Sequence, residues 1–199
     1  MLYLIGLLGS AFFLYMLREH WLALAFAAFI TFLYSAPKLP QTIFKELKKV
    51  AIGKTLYLAI VWTYVTTFLP LIVADAAIDN KAILLIISRF GLIYSICILF
   101  DYRDREDDKK NAIRSMITYF DEKGIDRLFW LSLIISGLAT LGLHFLKFSW
   151  AAIFVLMVPI FLTAALFSYS KKNFSDYFYY FVLDGLMMLS GIIMMIFGI

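Results

Sequence analysis

The sequence predicts an all-α protein, a polytopic transmembrane helix bundle forming one domain over residues 1–199. Two observations carry that expectation. The mean hydropathy is +0.89 and 63% of residues are apolar, where a soluble domain has about half. The apolar residues also gather into continuous runs close to the roughly 17 to 25 residues that a helix needs to cross the hydrocarbon. Continuous runs lack the in–out alternation of barrel strands, and lipid leaves a single crossing chain no other way than a helix to satisfy its backbone.

Seven such runs are predicted spans: 1–17, 21–36, 55–74, 82–100, 128–146, 149–168 and 177–198. The first has no basic residue ahead of it and no small-residue cleavage site behind it, so it counts as a span and not as a signal peptide. The fourth contains Cys97, the single cysteine, which excludes an intrachain disulfide and is assigned to packing. The sixth carries Pro159, the one proline deep in a span, and the last carries Asp184.

Orientation follows from the bases, because short cytoplasmic loops hold the excess of Lys and Arg. Lys38, Lys45, Lys48, Lys49 and Lys54 lie between the second and third runs. Arg103, Arg105, Lys109, Lys110, Arg114, Lys123 and Arg127 lie between the fourth and fifth, and Lys171 and Lys172 fall on the same side. Fourteen of the eighteen bases thus share one face. The expected topology has the amino terminus and both long polar loops in the cytoplasm and the carboxyl terminus outside. Segregation by loop also explains the net charge of +4 without a nucleic-acid partner; the partner it implies is the lipid bilayer.

FDYRDREDDKKNAIRS, residues 100–115, concentrates four aspartates, one glutamate and five bases in an otherwise apolar chain. On a helix Asp101, Asp104 and Asp108 point at roughly 0°, −60° and −20°, a single stripe. Carboxylates in a row repel unless a cation sits among them, and Mg²⁺ prefers oxygen ligands, usually one or two carboxylates plus substrate phosphates. The same acids could equally form a solvated face paired with Arg103, Arg105, Lys109 and Lys110. Glu106 and Asp107 point off the stripe and are read as surface residues.

In LYSAPKLPQ, Tyr34 and Lys38 are four apart, which on a helix sets a hydroxyl and an ammonium on one face. Interfacial anchoring predicts the same pair. Asp184 is an acid inside a span and therefore a functional candidate; it could reach a cavity, pair with Arg89 or be protonated.

The segment LFDYRDREDDKKNAIRSM after an apolar helix resembles the second aspartate-rich motif of the UbiA superfamily of intramembrane prenyltransferases, often D-I-R-D-x-E-x-D followed by G-x-K-T-L-P. Residues 112–117 are a degenerate version of that tail, lacking its glycine and proline. Tyr34 with Lys38 is similar to the family's tyrosine–lysine pair, and IGKTLYLAIVWTYVTTFLP, residues 52–70, resembles its fifth helix in many bacterial members. The resemblance covers the family's third to ninth helices. The first two helices and the first aspartate-rich motif have no counterpart, so the chain is expected to be a fragment, a mis-started frame or a naturally short protein.

The resemblance implies a bacterial-type inner-membrane enzyme that transfers an isoprenyl group from an allylic prenyl diphosphate to an aromatic or other lipophilic acceptor, with Mg²⁺ as cofactor. Asp104 and Asp108 would be catalytic, with Asp101 completing the metal set. Tyr34, Lys38 and Arg114 would bind the diphosphate, with Lys45 and Asp184 as further candidates. Turnover by these 199 residues alone is not expected. The rival expectation is a non-catalytic transporter or scaffold. A CDP-alcohol phosphotransferase is disfavoured because Arg105 follows Asp104 where that family has glycine.

Overall fold

The computed structural model of the chain describes residues 2–35, 54–110 and 120–198, and over these it is helical with no strand. In chain order α1 is Leu2–Met16 and α2 Trp21–Ser35. Helix α3, Lys54–Thr63, continues through a π-helical turn, Tyr64–Phe68, into α4, Leu69–Val73. Helix α5 is Asn80–Lys110, α6 Glu122–Gly142, α7 Trp150–Ser170, and a second π turn, Phe178–Leu183, leads into α8, Asp184–Phe197.

Five helical runs among the described residues are long and apolar enough to cross a membrane: Thr55–Val73, Asn80–Glu106, Glu122–Leu146, Trp150–Ser170 and Phe178–Phe197. They coincide with the last five runs expected from sequence. The first two runs form helices of 15 residues each, about 22 Å long at 1.5 Å per residue, against roughly 30 Å of hydrocarbon. Gly6–Met16 and Arg18–Leu33 meet at 77°, and the pair counts as a sixth, broken span only when taken together. The break falls where Arg18, Glu19 and His20 form a 3₁₀ turn.

Side chains set several helix starts. Asp121 accepts from the Gly124 amide at 2.8 Å to begin α6, and Ser149 accepts from the Ala152 amide at 3.1 Å to begin α7, satisfying donors that a helix's first turn leaves orphaned. Asp79 does the same for α5 through the Lys81 and Ala82 amides.

Helix α5 is the centre of the bundle: 61% of its spanning window is buried, against 22% for Thr55–Val73. Its closest partner is α6. Between helices in lipid there is little hydrophobic drive, so close approach of small residues and interhelical hydrogen bonds hold the pair. Here Ser88 and Thr140 share a 2.6 Å bond, Ser136 Oγ donates to the Ser88 carbonyl at 2.7 Å, and a Cβ on Gly91 would lie 2.7 Å from the Ser132 carbonyl oxygen. Tyr57 and Tyr64 tie the α3 region to α2 through the Ile30 and Ala23 carbonyls at 2.6 and 3.1 Å. Tyr179 ties the last helix to the end of α7 by donating to the Ser170 carbonyl at 2.9 Å.

Candidate functional site

The acidic cluster is helical, because α5 continues to Lys110, ten residues beyond the apolar run that ends at Phe100. Its first member turns inward. Asp101 is 4% exposed, and the hydroxyl of Thr55, itself 1% exposed in the first turn of α3, donates to its Oδ2. A buried carboxylate needs such partners, since burying it unpaired is costly.

One turn on, Asp104 is more open, its side chain 41% exposed, and its Oδ1 accepts from Arg103 Nε at 2.8 Å. Arg103 is spread across the last helix as well. It donates to the Tyr180 hydroxyl at 3.1 Å, reaches Asp176 at 3.5 Å, and lies 4.8 to 5.4 Å from the ring centroids of Tyr179, Tyr180 and Phe100. Such stacking over aromatic faces is attractive for a guanidinium. Nearby, Lys171 pairs with Asp126 at 2.8 Å.

Beside the first half of α5 opens a cavity of about 1120 Å³, lined among others by Trp62, Leu71, Leu85, Arg89, Tyr180 and Asp184. That exceeds the roughly 300 to 1,000 Å³ of common ligand pockets, and its wall is mostly apolar, as such pockets are. Both π turns contribute to it, one through Thr66 and Thr67 and the other through Tyr180, Phe181 and Val182. π-Helical turns inside α-helices recur at functional sites because they re-aim side chains. Tyr180 joins the two features: it lines the cavity, and its hydroxyl holds Arg103.

The structure brings Asp101 and Asp104 one turn apart on α5 and sets Asp184 in the cavity wall. Among the described residues the Asp184 side chain makes no hydrogen bond or close ion pair, though it feels the charge of Arg103, and Arg89 bonds Met187 and Ser190 instead of it. Asp108 lies in the last turn of α5 and Tyr34 in the last turn of α2, with both side chains outside the described residues. Lys38, Lys45 and Arg114 also lie outside them. Among the described residues no three His, Cys, Asp or Glu side chains gather closely enough to hold a metal ion. Sequence reasoning missed Thr55 and Tyr180, neutral residues 46 and 77 positions from the α5 residues they contact, and it treated Arg103 only as a counter-charge.

Compared with known families, curated proteins and solved structures, the chain matches none of the three.

Proposed function

We propose that this chain is a UbiA-like membrane prenyltransferase unit that binds an isoprenyl diphosphate with its head at the cytoplasmic end of α5 and its tail in the cavity. The observation that carries this is one of adjacency. Arg103 bonds Asp104 on α5 and, across to the last helix, Tyr180, a wall residue of a mostly apolar cavity of about 1120 Å³. A charged cluster joined through Tyr180 to a mostly apolar cavity suits an amphiphile with an anionic head.

The donor chemistry fits Mg²⁺. Asp101 and Asp104 offer hard oxygens, Arg103 engages only one oxygen of Asp104, and the resemblance adds Asp108 as the third ligand. When bound there, Mg²⁺ supplies neutralisation of the charge that builds on the departing diphosphate. Arg103 would add a second positive charge at the same end, and Tyr34, Lys38 and Arg114 would contact phosphate oxygens, with Lys45 in a basic loop over them. The apolar wall would exclude water from the allylic cation before a lipophilic acceptor takes it. Binding of the diphosphate, not turnover by this chain alone, is what is proposed. The topology belongs to the same proposal: seven crossings, amino terminus and α5 carboxyl end in the cytoplasm, carboxyl terminus outside.

A second reading has its own observation. Asp101 is held by Thr55 and Asp104 by Arg103, which is what a purely structural latch in a non-catalytic membrane protein would need. Binding of geranylgeranyl diphosphate, measured with and without Mg²⁺ on the wild type and on Asp101→Asn, Asp104→Asn and Asp108→Asn, separates the two. The prenyltransferase reading expects Mg²⁺-dependent binding that each substitution weakens at least tenfold. The latch expects no Mg²⁺ dependence and only a loss of stability.

A further inference from the structure

Arg89 has no part in the diphosphate site. It lies nine residues into α5, about 14 Å along the helix axis from Asn80 and some 18 Å from Asp101, well inside the span Asn80–Glu106. It is 8% exposed and lines the cavity. Its Nη1 donates to Ser190 Oγ at 3.1 Å and its Nη2 to the Met187 carbonyl, both on α8.

Neither acceptor carries a charge, and no carboxylate pairs with Arg89 among the described residues. A guanidinium cannot release its proton, so a full positive charge stands at membrane depth in the wall of a mostly apolar, half-open cavity that Asp184 also lines without pairing with it. Buried charges are ordinarily paired, and ionisable side chains at this depth mark ligand or ion sites. Two of its five N–H donors meet protein acceptors, leaving one on each terminal nitrogen and one on Nε. A carboxylate with two adjacent oxygens matches such a fork; a doubly charged phosphate would bring one charge more than Arg89 neutralises.

From this geometry we infer that the cavity binds an amphiphilic carboxylic acid, its carboxylate on Arg89 and its apolar body against Trp62, Leu71 and Met194. The acid binds as a monoanion, and no bond is made or broken. The carboxylate contact is separate from the diphosphate site, being carried by a different residue at a different depth, while the acid's apolar body and the prenyl tail would occupy the same cavity.

The test is binding of 4-octylbenzoate and of 4-octylbenzyl alcohol to the full chain in phosphatidylcholine nanodiscs at neutral pH, without Mg²⁺ or diphosphate. The wild type is expected to bind the acid at least tenfold more tightly than the alcohol, and Arg89→Gln to lose that preference. Should Arg89→Gln fail to fold, Arg89→Lys retains the charge without the fork and is expected to lose most of the preference. Equal affinity of the wild type for acid and alcohol overturns the inference, as does a preference undiminished in a folded Arg89 variant. A chain that binds no prenyl diphosphate but keeps the acid preference sinks the proposed function and leaves this site standing, and the converse result does the reverse.

Discussion

The hydroxyl of Thr55, in the first turn of α3, donates to the carboxylate of Asp101 near the end of α5, and both side chains are buried. The bond closes a loop of 46 residues in sequence and pins the start of one span to the charged end of another. Because the acceptor is a carboxylate, removal of the donor costs about 1.5 to 3 kcal/mol, the range for hydrogen bonds to charged groups. Thr55→Val keeps the shape and loses the donor, so its unfolding midpoint in mild detergent should fall accordingly. Asp101→Asn keeps an acceptor oxygen and should lose less stability than Thr55→Val while removing the negative charge. Equal stability of Thr55→Val and wild type would show the bond to be absent in solution.

Arg103 makes a graded series. Its own side chain is 12% exposed and its bond to Asp104 is partly buried, while the bond to Tyr180 is exposed and Asp176 is 85% exposed. Asp176→Ala should therefore change stability by less than about 1 kcal/mol, as exposed ion pairs do. Tyr180→Phe keeps the ring under the guanidinium and loses one hydrogen bond, about 0.5 to 1.5 kcal/mol. Arg103→Met should exceed both, since it removes the bonds and the stacking together. A double-mutant cycle on Arg103 and Tyr180 measures the coupling directly, and zero coupling would contradict the geometry.

The seam between α5 and α6 depends on Gly91, where a Cβ would meet the Ser132 carbonyl oxygen at 2.7 Å and the Ser136 backbone at 3.0 Å. Those are backbone atoms and cannot swing aside. Gly91→Ala should push the helices apart and destabilise by about 1 to 3 kcal/mol, the usual cost of overpacking. Gly137, on α6 with nothing within 4 Å of its Cβ position, is the control. Gly137→Ala should be neutral or stabilising by up to about 1 kcal/mol from helix propensity. In denaturant titrations the midpoint of Gly91→Ala should fall while that of Gly137→Ala holds or rises.

The spans from residue 55 onward were legible in sequence because lipid permits so little else: an apolar run of that length must become a helix whatever its neighbours. That Asp101 and Asp104 lie one turn apart on α5 was legible for a similar reason, but not that Asp101 alone of the two is buried. The Thr55–Asp101 bond was not, because threonine carries no charge to mark it and its partner is set by how two helices lie side by side. Arg89 was visible as a base within a span, but its acceptors are a backbone carbonyl and a serine on α8, which no pattern of charges announces. The π turns at Tyr64–Phe68 and Phe178–Leu183 shape the cavity and leave no mark in apolar periodicity.

The amino-terminal pair offers a test of topology that the composition of its bend helps to decide. If α1 and α2 made one broken span, the turn of Arg18, Glu19 and His20 would sit near mid-membrane, and placing an arginine there costs about 2.5 to 3.5 kcal/mol on insertion scales. If each crosses, thinning the bilayer or tilting to make up its length, the same turn reaches the outer surface. With the base-rich end of α5 cytoplasmic, as proposed, the two cases put the amino terminus on opposite sides. Cysteine scanning reads this without a disturbing background, since Cys97 is 2% exposed and its thiol is shielded from aqueous reagents. With two crossings, a cysteine at Glu19 should react with a membrane-impermeant maleimide added outside intact cells, and one at Leu2 should react only after lysis. Labelling at Leu2 from outside would establish a single broken span and an even number of crossings, and would remove the seven-crossing topology from the proposed function.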